Sequence, residues 1–257
     1  MSDPLPIAGD FLSLLAHQRV SPLKILQTPD APVQTQATTV FAFQFAEGVL
    51  MVGDRRATAG NVIVTDQVDK IIEIDSASLL AIAGVPATAF EMARVLQTSF
   101  EYYRRSQLQT LSLPAKVRAL ARLIRENLPM TLQGIGVVVP LFAGVDNSVN
   151  PPKPQIFFYD PPGAQFQAVG FAASGSGAGT IRSILHFQDR YGQPRPSELA
   201  LPVAVKFALR VLMAAAEFDS ATGGVDPLKQ TFATMKVLRG SGVSTISSEE
   251  QAQHLAA

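Results

Sequence analysis

The sequence predicts an α+β domain in which two β-sheets pack together and helices cover each outer face. Three observations carry this. Strand-like and helix-like segments come in runs, as strands, two helices, strands, two helices, strands, and segregated runs argue for α+β over alternating α/β. Several strand candidates, such as VLMVGD and SLLAIAG, are apolar on both faces, so both sides of each sheet need covering. A length of 257 residues, 47% of them hydrophobic, is enough to bury one large core or two small ones.

The elements follow in order. TTVFAFQF, from Thr38, is β-branched and aromatic; Ala46-Glu47-Gly48 reads as a turn and VLMVGD as the returning strand of a hairpin. NVIVTD and KIIEID suggest a second strand pair, with SLLAIAG after it. Pro86 opens a helix with Met92, Val95, Leu96, Ser99 and Tyr103 on one face. A second helix starts near Pro114, with Val117, Leu120, Ala121, Ile124 and Leu128 in register, and proline in the first turn suits both starts. Strands return as GVVVPLFAGVD, QIFFYDP and AQFQAVGFAAS. SGSGAG leads into the helix TIRSILHFQDRY, and a fourth helix places Val205, Ala208, Leu209, Leu212 and Ala216 together before DSATGG ends it. TFATMKVLRG and GVSTIS form a last hairpin before a short polar tail.

The first 37 residues have another texture. Asp10 can cap a short helix holding Phe11, Leu12, Leu14 and Leu15, and Gln27 to Ala37 is a polar, proline-containing linker. Such an appendage reads as a tag or tail, or as a pro-segment.

Composition excludes several classes. The 21 Lys+Arg balance 21 Asp+Glu, against a nucleic-acid binder that works by bulk electrostatics. No cysteine is present, which removes disulfides, thiolate metal sites and cysteine nucleophiles. His17, His186 and His254 lie far apart, so a polyhistidine metal site is not expected. No apolar run approaches the ~18–20 residues of a membrane span. The N-terminus has no basic leader before its apolar stretch, so the expectation is a cytoplasmic protein with no membrane partner, no nucleic-acid partner and no cofactor.

Four groups of residues could carry chemistry. SGSGAG, between a strand and a helix, could cradle a phosphate, yet it misses the G-x-G-x-x-G spacing and no βαβ unit follows; a tight turn is the plainer reading. A Ser-His-Asp site would need His186, on a helix face, or His254, in the polar tail, and a lone histidine there reads as a surface or packed residue. Arg55-Arg56 and Arg104-Arg105 are too short for nucleic-acid patches and read as solvated charges. The fourth group is Thr38, Asp54 and Lys70. The hairpin folds Asp54 back beside Thr38, and if the strand of Lys70 neighbours them, an ammonium and a carboxylate meet at a threonine hydroxyl, as nucleophilic threonine chemistry requires. On pattern alone such a trio near strand ends is commonplace.

The motifs taken together are specific. TTVFAFQFAEGVLMVGDRRATAGNVIVTDQVDKIIEID resembles the opening of a proteasome β-subunit of the bacterial 20S type, a threonine peptidase of the N-terminal nucleophile hydrolase class. IAGVPATAF resembles the family's IAG segment, SGSGAG its GSGS turn, and DSATGG matches its D-S-A-[ST]-G-G. The resemblance runs from Thr38 almost to the end and implies a four-layer αββα sandwich over 38–257, with 1–37 as a pro-segment removed by self-cleavage.

Carried over by motif, the resemblance makes Thr38 the nucleophile, Asp54 its acidic partner and Lys70 the lysine, sixteen residues apart in each interval. It adds Ser176, Asp219 and Thr222 around the amine and the Gly84 N–H as oxyanion donor. It also implies a substrate pocket at Ala57, Thr58, Val68, Ile72, Ile82, Pro86 and Phe90, apolar apart from Thr58, and so a preference for apolar or aromatic side chains on the acyl side. Every catalytic position holds a competent side chain, whereas a catalytically silent ring subunit would lack at least one. The implied partners are other β-subunits in heptameric rings, stacked α-subunit rings, an ATPase unfoldase and unfolded polypeptide substrates; a β-only self-assembling peptidase is the alternative without α-subunits. Three departures stand out: Ala37 where glycine usually precedes the nucleophile, Ala178 where a second serine is frequent, and Thr88 where an aspartate is common. Alanine is more restricted than glycine at a strained bond, so slower self-processing is expected.

Overall fold

The computed structural model describes residues 38–59, 62–226 and 231–256; the short helix and linker expected in 1–37 lie outside them. Side-chain alternation along β1 (Thr39–Phe45) sets the layering. Because successive strand residues point to opposite faces, Phe41, Phe43 and Phe45 go to one side and Val40 and Ala42 to the other. β2 (Gly48–Gly53) divides in the same way, Leu50 and Val52 from Val49 and Met51. The tight turn between them registers Val40 opposite Gly53.

The connection after β2 makes the short hairpin β3 (Ala57–Ala59) and β4 (Val62–Thr65), which pair with each other as a separate two-stranded sheet. β5 (Ile71–Asp75), β6 (Ser78–Ala81), β7 (Leu141–Asp146), β8 (Lys153–Tyr159) and β9 (Gln165–Gln167) form one five-stranded antiparallel sheet in sequence order. The other has the order β10-β1-β2-β11-β12, with β10 (Phe171–Gly175), β11 (Thr234–Arg239) and β12 (Gly242–Thr245), again antiparallel throughout.

The two sheets pack face to face through small and medium aliphatic side chains: Val40, Ala42, Val49 and Met51 meet Ile71, Leu79, Ala81, Leu141 and Ala143. The larger aromatic rings lie on the outer faces. Between α1 (Pro86–Gln107) and α2 (Leu113–Glu126) and their sheet, Met92, Leu96, Phe100, Leu120 and Ile124 bury Leu80 and Phe142. A single turn, α3 (Leu128–Leu132), follows α2. On the opposite outer face α4 (Ala178–Tyr191) and α5 (Leu201–Phe218) lay Ile181, Leu185, Val205 and Leu209 on Phe41, Phe43 and Leu50, and Phe43 meets Phe207 edge-on at 5.8 Å between ring centres. The result is helix, sheet, sheet, helix, the expected αββα sandwich. A buried lysine fastens one corner, Lys116 Nζ of α2 lying 2.6 Å from the Asp75 carboxylate at the β5–β6 turn.

Five local expectations are corrected. NVIVTD does not pair with KIIEID: β4 folds back on β3, and β5 pairs with β6. The reason is that 66–70 is tied to the turn after β2, by Val68 N–H to the Arg55 carbonyl at 3.0 Å and by Lys70 to Asp54. AQFQAVGFAAS is two strands in two sheets; Gly170, at φ +92, breaks the extended run where the chain crosses between them. The buried stripe of α1 is Ala89, Met92, Ala93, Leu96 and Phe100, rotated from the expected one because small alanines let the helix approach the sheet. α5 ends at Phe218, where DSATGG begins as expected, but the stop is Asp219 and not a glycine, its N–H bonded to the Ala215 carbonyl at 3.0 Å.

The tail after GVSTIS is a helix, α6 (Ser248–Ala256). Ser247 and Glu250 exchange backbone and side-chain hydrogen bonds at 2.7 and 3.2 Å, a capping box legible as S-x-x-E. The buried Gln251 amide donates to the carbonyls of Ala233 and Ile246 at 2.9 and 3.1 Å. Among the described residues no helix is long and apolar enough to cross a membrane.

Candidate active site

The start of β1, the end of β2, the residue before β5 and the loops after β10 and α5 converge at one end of the sandwich. The convergence is built around Asp54, 1% exposed. Its Oδ1 accepts from the Lys70 ammonium at 2.5 Å and from the Thr39 N–H at 2.8 Å. Its Oδ2 accepts from the N–H groups of Gly223 and Arg56 at 2.9 and 3.0 Å. Four donors on a buried carboxylate compensate its lost hydration. Lys70, also 1% exposed, donates in addition to the Arg56 carbonyl at 2.5 Å. Burial pulls its ammonium below the ordinary lysine value, and the Asp54 charge only partly offsets this.

A second chain of bonds runs across the Thr39 hydroxyl. It accepts the Gly177 N–H at 3.0 Å and lies 2.6 Å from Thr222 Oγ1 and 3.4 Å from Ser176 Oγ. Thr222 donates its own proton to Asp219 Oδ2 at 2.5 Å. A carboxylate can only accept, so the direction is set: Gly177 to Thr39, Thr39 to Thr222, Thr222 to Asp219. Burial alone would raise the Asp219 carboxyl, but hydrogen bonds from Ser176, Thr222 and the Ala221 N–H, together with the Lys70 charge, outweigh it and hold the group below its usual value.

Thr38 precedes this network in the chain and is 3% exposed. Its carbonyl accepts the Ser176 N–H at 3.2 Å. Gly175, at φ +99, makes that approach possible, because a β-carbon there would stand 1.7 Å from the Thr38 carbonyl oxygen. Alternation along the extended chain puts Thr38 on the face of Val40, opposite Thr39. Lys70 approaches that same inner face: a β-carbon on Gly53 would meet Lys70 Cβ at 3.1 Å and Val40 Cγ1 at 3.4 Å. Thr38 and Lys70 thus share the inter-sheet side, while Thr39, Ser176, Thr222 and Asp219 occupy the other.

Gly84 caps the site from the second sheet. It bridges Val138, with the Val85 N–H bonded to Val137 at 2.8 Å and the Val139 N–H to Ala83 at 2.9 Å. In such a non-hydrogen-bonded pair the N–H of the bridged residue points outward. Gly84 and Ser176 line one cleft of about 470 Å³.

The other expected pocket residues are dispersed. Ala57 and Thr58 are buried on β3, Val68 and Pro86 are half-buried, and Ile82 lies in the core under α1. Ile72 and Phe90 meet in a depression of about 380 Å³ whose rim carries Arg94 and Lys236. Phosphate binding at SGSGAG finds an occupied turn, since a β-carbon at Gly177 would meet Thr222 Oγ1 at 2.7 Å. Among the described residues no cluster of three or more His, Asp or Glu stands close enough to hold a metal ion.

Sequence reasoning noted Thr39 beside Thr38 at the junction but gave it no role, and it missed Gly177, Gly223 and Arg56. Arg56 corrects the reading of Arg55-Arg56 as solvated: its guanidinium pairs with Asp66 at 2.9 Å and reaches the carbonyls of Ser220 and Thr222 at 3.1 and 3.4 Å. It clamps the loop carrying Asp219 and Thr222 onto the turn carrying Asp54. The available signal was its place in DRRAT, two residues after Asp54. Arg104 and Arg105 do pair on the exposed surface, with Glu101.

A sandwich of two antiparallel sheets between helix layers is the architecture of proteasome subunits and N-terminal nucleophile hydrolases. A family model described as "Proteasome subunit" matches residues 34–227. The chain is 37% identical over 227 residues to the proteasome subunit beta of Acidothermus cellulolyticus, covering 87% of this chain and 74% of that protein. It is 38% identical over 209 residues to that of Acidimicrobium ferrooxidans, covering 81% and 73%. It is 34% identical over 245 residues to that of Streptomyces griseus, covering 95% and 84%. The chain therefore belongs to the proteasome subunit family, on its bacterial β-subunit branch.

Proposed function

We propose that this β-subunit is a threonine endopeptidase whose nucleophile is the Thr38 hydroxyl, freed by self-cleavage after Ala37. The observation that carries the reading is the buried Asp54–Lys70 pair on the same inter-sheet face as Thr38. Cleavage before Thr38 creates an α-amine on the nucleophilic residue itself, so a base is within reach without any histidine. The Lys70 charge favours the neutral amine and stabilises a developing alkoxide, while Asp54 holds Lys70 in place. Ser176, Thr222 and Asp219 brace the start of β1 from its other face. The outward N–H of Gly84 receives the oxyanion of the tetrahedral intermediate, a contribution commonly worth about 3–4 kcal/mol. On the acyl side, Ile72 and Phe90 line the depression that would take an apolar side chain, whereas Ala57, Thr58, Val68, Ile82 and Pro86 do not line it.

Residues 1–37 act as the pro-segment in this reading. The working particle is a cytoplasmic stack of heptameric β-rings and α-rings, fed with unfolded polypeptide by an ATPase. Intact mass and peptidase activity test the central claim together. Wild type is expected to lose residues 1–37 and to gain activity, and Thr38→Ala to lose both properties. A fully assembled wild type that keeps its N-terminus and stays inactive would point instead to a structural or externally processed subunit, with Ala37 the first suspect.

The pH profile of kcat/KM follows from the same groups. Activity needs a neutral amine, so it rises with pH up to the amine's reference pKa of about 7.7–8.0, and the Lys70 charge moves this limb lower. It needs a charged Lys70, whose pKa burial depresses, so the falling limb lies below the ordinary lysine value of about 10.4. A rate that holds constant beyond that pH would remove Lys70 from the assigned role.

A further inference from the structure

The 470 Å³ cleft that shares Gly84 and Ser176 with the site is lined by none of the residues expected to contact the acyl side. Its outer walls are Val139 and Phe158 on one side, and Ala178 and Arg182 of α4 on the other. Phe158 keeps 38% of its surface exposed although it is a large apolar residue on a strand. Among the described residues, Arg182 is the one charged residue in the lining. Its Nε donates to the Ala178 carbonyl at 3.3 Å, and among the described residues it pairs with no carboxylate. An apolar wall facing one uncompensated guanidinium suits a peptide segment with an acidic side chain. Phe158 would pack on the stem of that side chain and Arg182 would take its carboxylate in a forked pair.

We propose that this cleft receives the substrate on the leaving-group side of the scissile bond, and that Arg182 selects acidic residues there. The inference rests on the peptidase reading above. Gly84 and Ser176 stand where the acyl carbonyl would react, and the acyl-side residues Ile72 and Phe90 line a different depression. The chain beyond the scissile bond is then left with the cleft running towards Arg182. Arg182 touches no reacting atom and acts on specificity alone.

The test uses two substrate sets on the assembled particle, with wild type, Arg182→Gln and Arg182→Glu. Internally quenched peptides carry Asp or Lys at the first two positions after the cleaved bond. A short peptide amide of a fluorophore has no residue on that side and reports the chemistry alone. Wild type is expected to prefer Asp over Lys by about two- to five-fold in kcat/KM, the range of one exposed ion pair. Added salt should shrink the preference, Arg182→Gln should abolish it and Arg182→Glu should reverse it. All three proteins should turn over the short amide equally. A preference that survives Arg182→Glu, or a wild type that favours Lys, overturns the assignment of Arg182 while leaving the peptidase reading intact. No turnover of the short amide by wild type overturns both.

Discussion

Lys70→Met is expected to lower peptidase activity by about 10²–10³-fold or more, the scale of losing a preorganised charge in a buried site, and to stop removal of residues 1–37. It should also destabilise the fold by about 3–5 kcal/mol, because it strands the buried Asp54 carboxylate. The double variant Asp54→Asn/Lys70→Met separates the two effects. Asparagine keeps an acceptor oxygen for the Gly223 and Arg56 N–H groups, its NH2 then facing the Thr39 N–H, and no uncompensated charge remains. The uncompensated buried charge is the larger part of the cost of breaking such a pair, so part of the loss should be recovered. Activity should not return. Urea denaturation midpoints and turnover of a short fluorogenic peptide, measured on the same preparations, read both quantities. If Lys70→Met stays active, the ammonium has no part in the chemistry. If the double variant is as unstable as the single one, the pair acts through packing and not through charge.

Gly175→Ala should be nearly as damaging, although the residue carries no functional group. The left-handed φ of +99 disfavours any β-carbon, and this one would stand 1.7 Å from the Thr38 carbonyl oxygen. Strain of about 1–3 kcal/mol comes on top of a displacement of the first strand at Thr38, where about 1 Å of misplacement can cost ~10²-fold in rate. The expected result is a protein that folds and keeps residues 1–37, with activity down by about 10² or more. Gly179→Ala, on the first turn of α4, has open space around the new methyl and serves as the control. Equal activity in the two variants would show that the Thr38 carbonyl can relax.

Much of this was legible in the chain. Strands apolar on both faces, such as VLMVGD and SLLAIAG, and the proline-led helices in segregated runs define four layers. The run of motifs from DRRAT to DSATGG points to Asp54, Lys70, Asp219 and Thr222. What could not be read is partnership across long separations. Nothing local says that KIIEID pairs forwards and not back with NVIVTD, because both are equally strand-like; the choice is made by 66–70 being tied to the turn after β2. Nor does composition distinguish Arg56 from Arg55, since their partners differ only once the 66–67 segment and the loop after α5 are folded against them.

The sequence by itself determined the layers, the classes excluded by charge and cysteine content, and the residue types available to a nucleophilic threonine. These depend on periodicity and side-chain chemistry, which are local. The tertiary structure alone decided that Asp54 takes four donors from four separate stretches of chain, that Thr39 and not only Thr38 is wired into the site, and that Gly175 and Gly177 must lack a side chain. Those facts depend on distances between residues up to 183 positions apart, as between Thr39 and Thr222, and only packing of the two sheets and their helices sets such distances.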